Sequence, residues 1–295
     1  MSPAVSIVIP TLADRELLAA CLDDLRVELA ARDSRDEVIV VDDSGDMQLR
    51  GWCAANYPEV EYVGHEANLG FAAALASGVH TARHALVFAL NPDVRVRVGC
   101  LDALVETLAD DVHAVSPYAL LFGAAPAEES LPELITEDGF PVIRLAAIEV
   151  EPGSVVSDHP DGVPVAFALG GASLFRRDDF LQAPFDPRFE PFYWEDVDWC
   201  QSALRRGRRV LVDPRAVVEH HHRGTIGARI PDKLVRAAIE KNRLLFAWKH
   251  YDSPELLREH LAALAARILE HGICEEREEL IWFLLALEDT GLAVR

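Results

Sequence analysis

Two groups of side chains in this sequence have the residue types that bind a divalent cation. Asn91-Pro92-Asp93 follows an apolar run, and an Asp held in such a turn can coordinate a metal or a ribose hydroxyl. In His220-His221-His222, the first and third imidazoles share one face if the chain is extended. Singly, the first group is also an ordinary strand-ending turn and the second an ordinary polar loop. Together they favour a metal site that uses Asp93 and these histidines.

A third group has the residue types of a general base. Glu195, Asp196 and Asp198 lie between Trp194 and Trp199. Carboxylates crowded among aromatic rings repel one another and are poorly solvated, which raises a carboxyl pKa toward the range of a general base. The alternative is the acidic first turn of a helix, which the helix dipole favours. Both interpretations hold if different carboxylates fill the two roles, and Asp198 is the one most suited to the structural role.

Phosphate-binding signals are weaker. Asn68-Leu69-Gly70 precedes an Ala-rich helix that starts at Phe71, and the first N–H groups of that helix could face an anion. Many loops fit that description. The first strand is not followed by GxGxxG, and GxxxxGK[ST] does not occur in the sequence. A dehydrogenase or a kinase is therefore disfavoured.

The elements that must position these groups alternate between apolar runs and amphipathic helices. Helical spacing of Leu and Cys follows Asp14, a predicted N-cap, and the Ala-rich helix runs from Phe71 to about Arg83. Continuous apolar strands between helices indicate a parallel sheet covered on both faces, so the predicted fold class is α/β. Ligands of such sheets bind beyond the carboxyl ends of the strands, where Asp42, Asn68 and Asp93 are expected. The predicted strands are 5–9, 37–41, one from 60, 85–90, 209–212 and 216–218.

Composition excludes several classes of protein. The net charge is −21 and no Lys/Arg run exceeds two residues, which disfavours a nucleic-acid binder. The longest apolar run, Leu280 to Leu287, is far shorter than the roughly 18 residues of a membrane span, and no signal peptide is recognisable. The five cysteines form no CxxC pair, which favours a reducing compartment. We expect a cytoplasmic protein, either free or peripheral at the inner face of the membrane.

Two regions lie outside the groups of side chains described above. Residues from about 123 to 162 are rich in Pro, Gly and acidic side chains and are interpreted as a mobile acidic insertion. Residues 230–295 are interpreted as a C-terminal helical extension to a domain over 1–229. The apolar strip within 280–287 could pack on the core, pair two chains as a homodimer or touch a membrane surface. We hypothesise that this insertion and the C-terminal helices from Pro254 onward govern the acceptor or assembly rather than the donor.

In chain order, the motifs resemble those of glycosyltransferase family 2, the inverting nucleotide-sugar glycosyltransferases with the GT-A fold. The similarity covers about residues 5–249 and is strongest to a rhamnosyltransferase-like branch, whose metal motif takes the form Asn-Pro-Asp. The other matching segments are Pro10-Thr11, Asp42, Asn68 to Gly70, Gly171-Ala172 to Arg177, Phe185-Asp186 with Phe189, Glu195 to Asp198, His220, and Lys241-Asn242-Arg243.

The resemblance implies a mainly parallel sheet flanked by helices and the inverting transfer of a sugar from a nucleotide diphosphate. It implies Asp196 as the catalytic base, with Glu195 as the alternative, and Asp93 and His220 as ligands of Mg²⁺ or Mn²⁺. Because Asn91 stands where many relatives have Asp, the metal has one charged ligand fewer. The donor site is expected to use Pro10, Thr11, Asp42, Asn68, Gly70, Asn91 and Asp93, and the acceptor site Gly171, Ala172 and Trp194.

The implied partners are a UDP- or dTDP-sugar donor and a glycan, lipid-linked or small-molecule acceptor, without nucleic acid. Two rival functions remain at this point. A sugar nucleotidyltransferase also uses an open α/β sheet and a metal, but it needs a Gly-rich loop with Arg and Lys after the first strand, where this chain has Thr11 to Asp14. A non-catalytic scaffold would bind nucleotide sugars or glycans without turnover.

Overall fold

The computed structural model describes residues 2–45, 48–121, 131–146, 153–154, 159–220, 231–273 and 281–289. Its strands are β1 (Val5–Thr11), β2 (Glu37–Asp42), β3 (Glu61–Gly64), β4 (Leu86–Leu90), β5 (Val94–Val96), β6 (Val112–Leu121), β7 (Pro132–Glu137), β8 (Phe140–Leu145), β9 (Val163–Pro164), β10 (Ala172–Arg176) and β11 (Arg209–His220). Its helices are α1 (Arg15–Ala31), α2 (Gln48–Asn56), α3 (Phe71–Thr81), α4 (Cys100–Thr107), α5 (Arg177–Gln182), α6 (Glu195–Leu204), α7 (Asp232–His250), α8 (Pro254–Ile273) and α9 (Ile281–Asp289).

The central sheet confirms the predicted α/β class. Its strands follow the order β3-β2-β1-β4-β10-β6-β11-β5, and β9 adds to β11. β3, β2, β1 and β4 pair in parallel, as do β6 and β11, whereas β10 runs antiparallel between β4 and β6. The parallel strands therefore all end at the same edge of the sheet.

Both faces of this sheet are buried, which explains the continuous apolar strands. Val5, Ile7 and Ile9 of β1 pack toward α1, α2 and α4, while Val8 packs toward α3 and α5 to α9. Each buried Val or Ile contributes about 1.5–3 kcal/mol through the hydrophobic effect. Asp14 caps α1 as predicted, because its Oδ1 accepts a hydrogen bond from Leu17 N at 3.1 Å.

The long strand β11 differs from the two short strands predicted for this stretch. Arg209 to His220 form one strand, with a register shift against β6 between Asp213 and Val217. Pro214 lies inside that shift, where a residue without a backbone N–H is tolerated. The apparent gap between the two predicted strands is therefore a bulge, and the bulge carries β11 on to His220.

Residues 131–146 form an ordered hairpin inside the region predicted to be a mobile insertion. β7 and β8 pair in antiparallel register around Asp138 and Gly139, whose φ values are 50° and 74°. An Asp-Gly pair with positive φ at both positions is typical of a two-residue hairpin turn. A Cβ on Gly139 would lie 2.9 Å from Glu259 O of α8, so the tip of the hairpin packs directly on that helix.

The C-terminal helices hold this hairpin. Arg243 of α7 donates to Pro141 O at 2.7 Å, and the Arg243 and Arg267 guanidinium groups lie 5.0 and 5.6 Å from the centre of the Phe140 ring. His260 Nδ1 donates to Gly139 O at 2.8 Å, and Trp248 Nε1 donates to His260 Nε2 at 3.1 Å. The β7–β8 hairpin of the predicted insertion is therefore joined to the C-terminal helices α7 and α8.

We expect this anchoring to weaken as the pH falls from about 7 to about 5. Burial lowers the pKa of His260 from its ordinary value of 6.5, and the docked ring must stay neutral for Nε2 to accept from Trp248. Release of the hairpin restores the ordinary pKa, so protons favour the released form. Amide exchange across 132–145, corrected for intrinsic rates, should speed up in acid. The His260→Gln variant should lose this pH dependence, and equal dependence in both proteins would contradict the expectation.

The last helix, α9, packs its apolar strip against α7 on one side only. Ala286 is buried and Phe283 meets the Trp248 ring edge-to-face at 6.5 Å, whereas Leu284 stays 62% exposed. Of the predicted strip, Leu280 lies outside the described residues. Within the described ranges, no helix combines the length and the apolarity that crossing a bilayer requires.

Candidate active site

The carboxyl edge of the sheet gathers most of the predicted donor residues. Thr11 ends β1 beside Asp42 at the end of β2, and Asn91 directly follows β4. His220 ends β11 and pairs with the residue that follows Asp93. Side chains at this edge lie where open α/β sheets bind their ligands. Pro10 lies within β1, where it pairs with Val41 of β2 and can contribute only shape and its carbonyl.

Asp93 and His220 face each other across this edge. Asp93 Oδ1 lies 3.7 Å from His220 Nε2, and Asp93 is only 8% exposed. Among the described residues that oxygen has no hydrogen-bond partner, which is costly for a buried carboxylate and fits one that shares a cation with an imidazole. The described residues hold no cluster of three or more such ligands. His221 and His222 lie outside the described residues.

Two glycines lie between the turn that carries Asp93 and the predicted base. Asn91 N donates to Gly171 O at 2.8 Å, and a Cβ on Gly171 would lie 2.2 Å from Asn91 Nδ2. Gly170 N donates to Asp196 Oδ2 at 2.9 Å, and a Cβ on Gly170 would lie 3.2 Å from that oxygen. Such close approach requires residues without a side chain. The Gly170-Gly171 backbone therefore lies between Asn91 and Asp196. Gly171 contacts Asn91 directly, and Gly170 contacts Asp196.

Glu195 and Asp196 begin α6 with their carboxyls in different surroundings. Asp196 keeps part of its surface exposed, and its Oδ1 accepts a hydrogen bond from Val197 N at 2.8 Å. Glu195 is buried, and its Oε2 has no hydrogen-bond partner within the described part of the chain. Burial raises the pKa of both carboxyls, and the neighbouring Asp196 charge raises the Glu195 pKa further. Of the two, Asp196 is the more accessible.

Asp198, the third carboxylate, joins the start of α6 to the end of α7 through hydrogen bonds. Its Oδ2 accepts from Lys249 Nζ at 2.8 Å and its Oδ1 pairs with His250 Nε2 at 2.7 Å. Its side chain is 4% exposed. Asp198 therefore has the structural role that the sequence suggested for it, with partners that lie more than fifty residues away in the chain.

Asp42 is buried, and its carboxylate is already oriented by neighbours. Ser44 donates to Oδ1 through its backbone N at 3.0 Å and its hydroxyl at 2.5 Å. Tyr62 donates its hydroxyl to Oδ2 at 2.8 Å, and burial together with Asp42 raises the Tyr62 pKa. A carboxylate has about four lone-pair positions, so one position remains for a ligand.

The neighbouring Asp43 holds the loop that leads into α3, the helix whose first N–H groups could face a phosphate. Its carboxylate accepts from Leu69 N at 2.8 Å and Gly70 N at 2.9 Å, and it pairs with His65 Nδ1 at 2.7 Å. Asp43 therefore binds the two backbone N–H groups that precede α3, and Asn68 Oδ1 also accepts from Gly70 N. Sequence reasoning missed Asp43, although its place in an Asp-Asp pair after a strand was visible.

Trp194 and Ala172 do not offer a surface to an acceptor. Trp194 is 6% exposed and its ring packs 5.2 Å from the Phe246 ring, so it lies in the core and cannot serve as the acceptor contact that the resemblance implies. The Ala172 side chain points into the core from β10. Tyr193, the preceding residue, is 41% exposed and is the aromatic side chain that reaches the surface at this corner.

Comparison with known proteins decides the family. The sequence model described as "Glycosyl transferase family 2" matches residues 6–181, well over half of the chain. The chain belongs to this family. The matched residues run from β1 to α5 and include Asp42, Asn91, Asp93 and Gly171, whereas Asp196 and His220 lie beyond them. The family match therefore covers the residues predicted to bind the donor and does not reach the predicted base.

A curated relative of this family 2 chain is the low-salt glycan biosynthesis hexosyltransferase Agl10 of Haloferax volcanii. The two are 23% identical over 175 residues, which is 57% of this chain and 53% of the relative. The chain thus spans about half the length of the curated relative that it matches.

Three solved structures share its fold. GalNAc-T7 with UDP, GalNAc and Mn²⁺ has a TM-score of 0.65 at 16% identity, over 85% of this chain and 49% of that one. The mannosyltransferase PcManGT of Pyrobaculum calidifontis with GDP-Man and Mn²⁺ has a TM-score of 0.53 at 17% identity, over 100% of this chain and 77% of that one. S. aureus TarS has a TM-score of 0.57 at 15% identity, over 98% of this chain and 80% of that one. At these identities the likeness shows the GT-A fold.

Proposed function

We propose that this chain transfers a hexosyl group from a nucleotide diphosphate sugar to an acceptor hydroxyl in one displacement, with inversion at the anomeric carbon. The observation that carries the proposal is that Asp93 lies 3.7 Å from His220, while Asn91 of the same turn contacts Gly171, and Gly170 beside it binds Asp196. A leaving-group site and a general base held on one rigid edge suit a reaction that depends on the orientation of two substrates.

Asp196 is the proposed general base, which accepts the proton of the acceptor hydroxyl as its oxygen attacks the anomeric carbon. Gly170 N and Val197 N each donate to one of its oxygens, so the carboxylate is oriented and still has lone pairs for the substrate. Its raised pKa makes it a stronger proton acceptor than an ordinary Asp. Glu195 is the alternative base, but its burial argues against direct contact with the acceptor.

Asp93 and His220 would hold Mg²⁺ or Mn²⁺, and the cation would stabilise the charge of the departing nucleotide diphosphate. The buried Asp93 oxygen without a hydrogen-bond partner in the described residues supports this assignment. Mn²⁺ in the structures of GalNAc-T7 and PcManGT supports it as well. With Asn91 in place of Asp, the chain itself contributes one negative charge fewer to the metal.

For the donor nucleotide, we propose contacts from Asp42 and Thr11 at the ends of β2 and β1. Asp42 has one lone-pair position left for a base N–H, and Thr11 Oγ1 is buried without a hydrogen-bond partner among the described residues. UDP- and dTDP-sugars offer that N–H. So does GDP-mannose, the donor named for PcManGT, so the contact selects a class of base.

The acceptor is proposed to approach Asp196 past Gly170-Gly171 and Tyr193. Tyr193 replaces the buried Trp194 in this role because it has an exposed ring, and exposed aromatic rings stack on sugars. The acceptor classes remain a glycan, a lipid-linked sugar or a small molecule. An association of two chains through the C-terminal helices, and a cytoplasmic place at the inner face of the membrane, are also retained as proposals.

For the transferred sugar, we propose a hexose in the broad sense. The curated relative is named a hexosyltransferase, and this supports hexosyl transfer without supporting the rhamnosyltransferase-like branch itself. Rhamnose is a deoxyhexose, so the Asn91-Pro92-Asp93 turn and the relative's name agree at this coarser level. The branch stays a prediction that a donor screen would test.

A thermal-shift screen of nucleotide sugars, each with and without Mg²⁺ or Mn²⁺, tests the proposal. A ligand at about 100 times its Kd stabilises the folded chain by about 2.7 kcal/mol, so donor and metal both register in the unfolding temperature. Donors that stabilise the chain are then incubated with acceptors, and the product is analysed by NMR. Stabilisation by a donor without any transfer or donor hydrolysis would favour the non-catalytic scaffold instead.

Replacing Asp93 with Asn should separate metal binding from nucleotide binding. We expect Asp93→Asn to weaken the apparent affinity for Mn²⁺ more than about 10-fold, or about 1.4 kcal/mol, because the site loses its anionic ligand. The measurement is the Mn²⁺-dependent part of the donor-induced thermal shift. The control is Asp42→Asn, which should reduce the donor shift with and without metal. If both variants respond to Mn²⁺ like the wild type, Asp93 is not a metal ligand.

A further inference from the structure

The turn that leads into the proposed base is held in an unfavourable backbone conformation. Tyr193 and Trp194 have φ values of 69° and 74°, so two consecutive residues with side chains lie in the left-handed region. Glu195 and Asp196 follow directly at the start of α6. Backbone of this kind persists only where the surrounding structure over-determines it. The chain must therefore contain groups that hold this turn.

The Asn242 side chain of α7 hydrogen-bonds to this turn and to the residues before it. Its Nδ2 donates to the carbonyl oxygens of Phe189 at 2.6 Å, Phe192 at 3.0 Å and Tyr193 at 2.7 Å. Lys241 Nζ beside it donates to the carbonyls of Arg188 and Glu190 at 2.7 and 2.6 Å. The carbonyls of five residues between 188 and 193 thus converge on two neighbouring side chains of one helix.

The chemistry of this contact is specific to an amide. Asn242 is 0% exposed, and every acceptor that faces Nδ2 is a carbonyl oxygen, so the orientation of the amide is fixed by its partners. Its Oδ1 has no hydrogen-bond partner within the described ranges. A buried acceptor left without a partner costs stability, so this residue is a poor choice if its only function is to hold the fold together.

The same face of α7 also fixes the residues on either side of the turn. Phe246, one helical turn after Asn242, packs on the Trp194 ring, and Lys249 and His250 hold Asp198. Trp194 O accepts the first helical bond of α6 from Asp198 N at 2.9 Å. The position of Glu195 and Asp196 is thus bounded on both sides by contacts from α7.

We infer that Asn242 is a positioning residue for the transfer reaction: by holding the Tyr193-Trp194 turn in its left-handed conformation, it sets where Asp196 meets Gly170 and the acceptor. This inference rests on the proposed function of Asp196. Asn242 touches no reacting group and acts only through the backbone that precedes α6. A displacement of a catalytic group by about 1 Å can lower a rate by about 100-fold, so the effect of losing this grip is large.

The test compares Asn242→Asp and Asn242→Ser with Arg243→Ala in the full chain. Asp keeps the shape but turns an oxygen toward the three carbonyls, whereas Ser keeps one donor and should retain part of the function. Arg243 is the matched control, because it is the next residue of α7 and donates to Pro141 O of the hairpin instead. Thermal unfolding first establishes that each variant is folded, and Asn242→Ser carries the test if Asn242→Asp does not fold.

Two readouts decide the outcome. We expect kcat to fall by about 100-fold in Asn242→Asp and by less in Asn242→Ser, with donor affinity unchanged. We also expect faster amide exchange of Gly170 and Val197, whose N–H groups bind Asp196, in the Asn242 variants alone. Unchanged kcat, or an equal loss of kcat and donor affinity in all variants, would overturn the inference. If the wild type transfers no sugar, the proposed function fails, and amide exchange alone still decides what Asn242 holds.

Discussion

Replacing Asp196 with Asn is expected to lower the rate of sugar transfer by about 10²- to 10⁴-fold, or roughly 3 to 5 kcal/mol of activation free energy. Asn keeps the shape of the side chain and loses its basicity, so it cannot take the acceptor proton. Donor affinity should stay close to that of the wild type, because Asp196 contacts the Gly170 backbone and not the donor residues proposed at the carboxyl edge of the sheet, called the donor edge below. Transfer kinetics at saturating donor, with donor affinity measured by titration, give both quantities.

Glu195→Gln is the matched control for this experiment. Glu195 is buried beside Asp196 and shares its raised pKa, so a nonspecific effect of removing one buried charge would appear in both variants. If Glu195→Gln loses transfer while Asp196→Asn keeps it, the base is Glu195. A product that retains the anomeric configuration of the donor would contradict the single displacement itself, whichever carboxylate is the base.

The positions of the donor residues were predictable because they depend on strand order and direction alone. Asp42 and Asp93 follow apolar runs, and parallel strands end at one edge, so the edge could be located without any side-chain contact. His220 was identified from a histidine run after an extended stretch. His220 pairs with the residue after Asp93 because that residue begins the antiparallel β5, a strand of only three residues that the sequence pattern does not predict.

The hairpin over 132–145 was missed although the sequence carries its signal. Asp138-Gly139 stands between apolar runs, and this pair is a strong marker of a two-residue hairpin turn. The acidic, Pro-rich composition around it favoured an interpretation as mobile chain. What orders the hairpin is its contact with Arg243 and His260, which lie about a hundred residues away in sequence. Composition alone cannot reveal such partners.

The roles of Asp43, Trp194 and Asn242 could not be assigned from the sequence for a related reason. In an Asp-Asp pair, the sequence does not tell which carboxylate faces the ligand and which caps a loop. Trp194 has a positive φ and its ring is buried, and an aromatic residue gives no sequence signal for that conformation. Asn242 acts on carbonyl groups, which every residue has, so its partners are visible only in three dimensions.

The Gly171→Ala variant is expected to lose about 100-fold in transfer rate and to bind the donor more weakly. An added Cβ would lie 2.2 Å from Asn91 Nδ2 and 2.5 Å from Asn91 Cγ, which no ordinary contact allows. Either the Asn91 side chain rotates away from its place at the carboxyl edge of the sheet, or β10 separates from β4 and strains the Asn91 N to Gly171 O hydrogen bond. Overpacking of this kind also costs about 1–3 kcal/mol of stability. Thermal unfolding and transfer kinetics measure the two effects.

A double-mutant cycle identifies the clash as the cause. The Asn91→Ala change removes the amide that the new Cβ would strike, so stability should recover in Asn91→Ala/Gly171→Ala while transfer stays low, because the Asn91 side chain is lost from the donor edge. Gly51→Ala in α2 is the control for an added methyl group, because nothing lies within 4 Å of the Cβ position there and helices favour Ala over Gly. If Gly171→Ala is as stable and as active as Gly51→Ala, then Asn91 and Gly171 are not in the close contact that links the donor edge to Asp196.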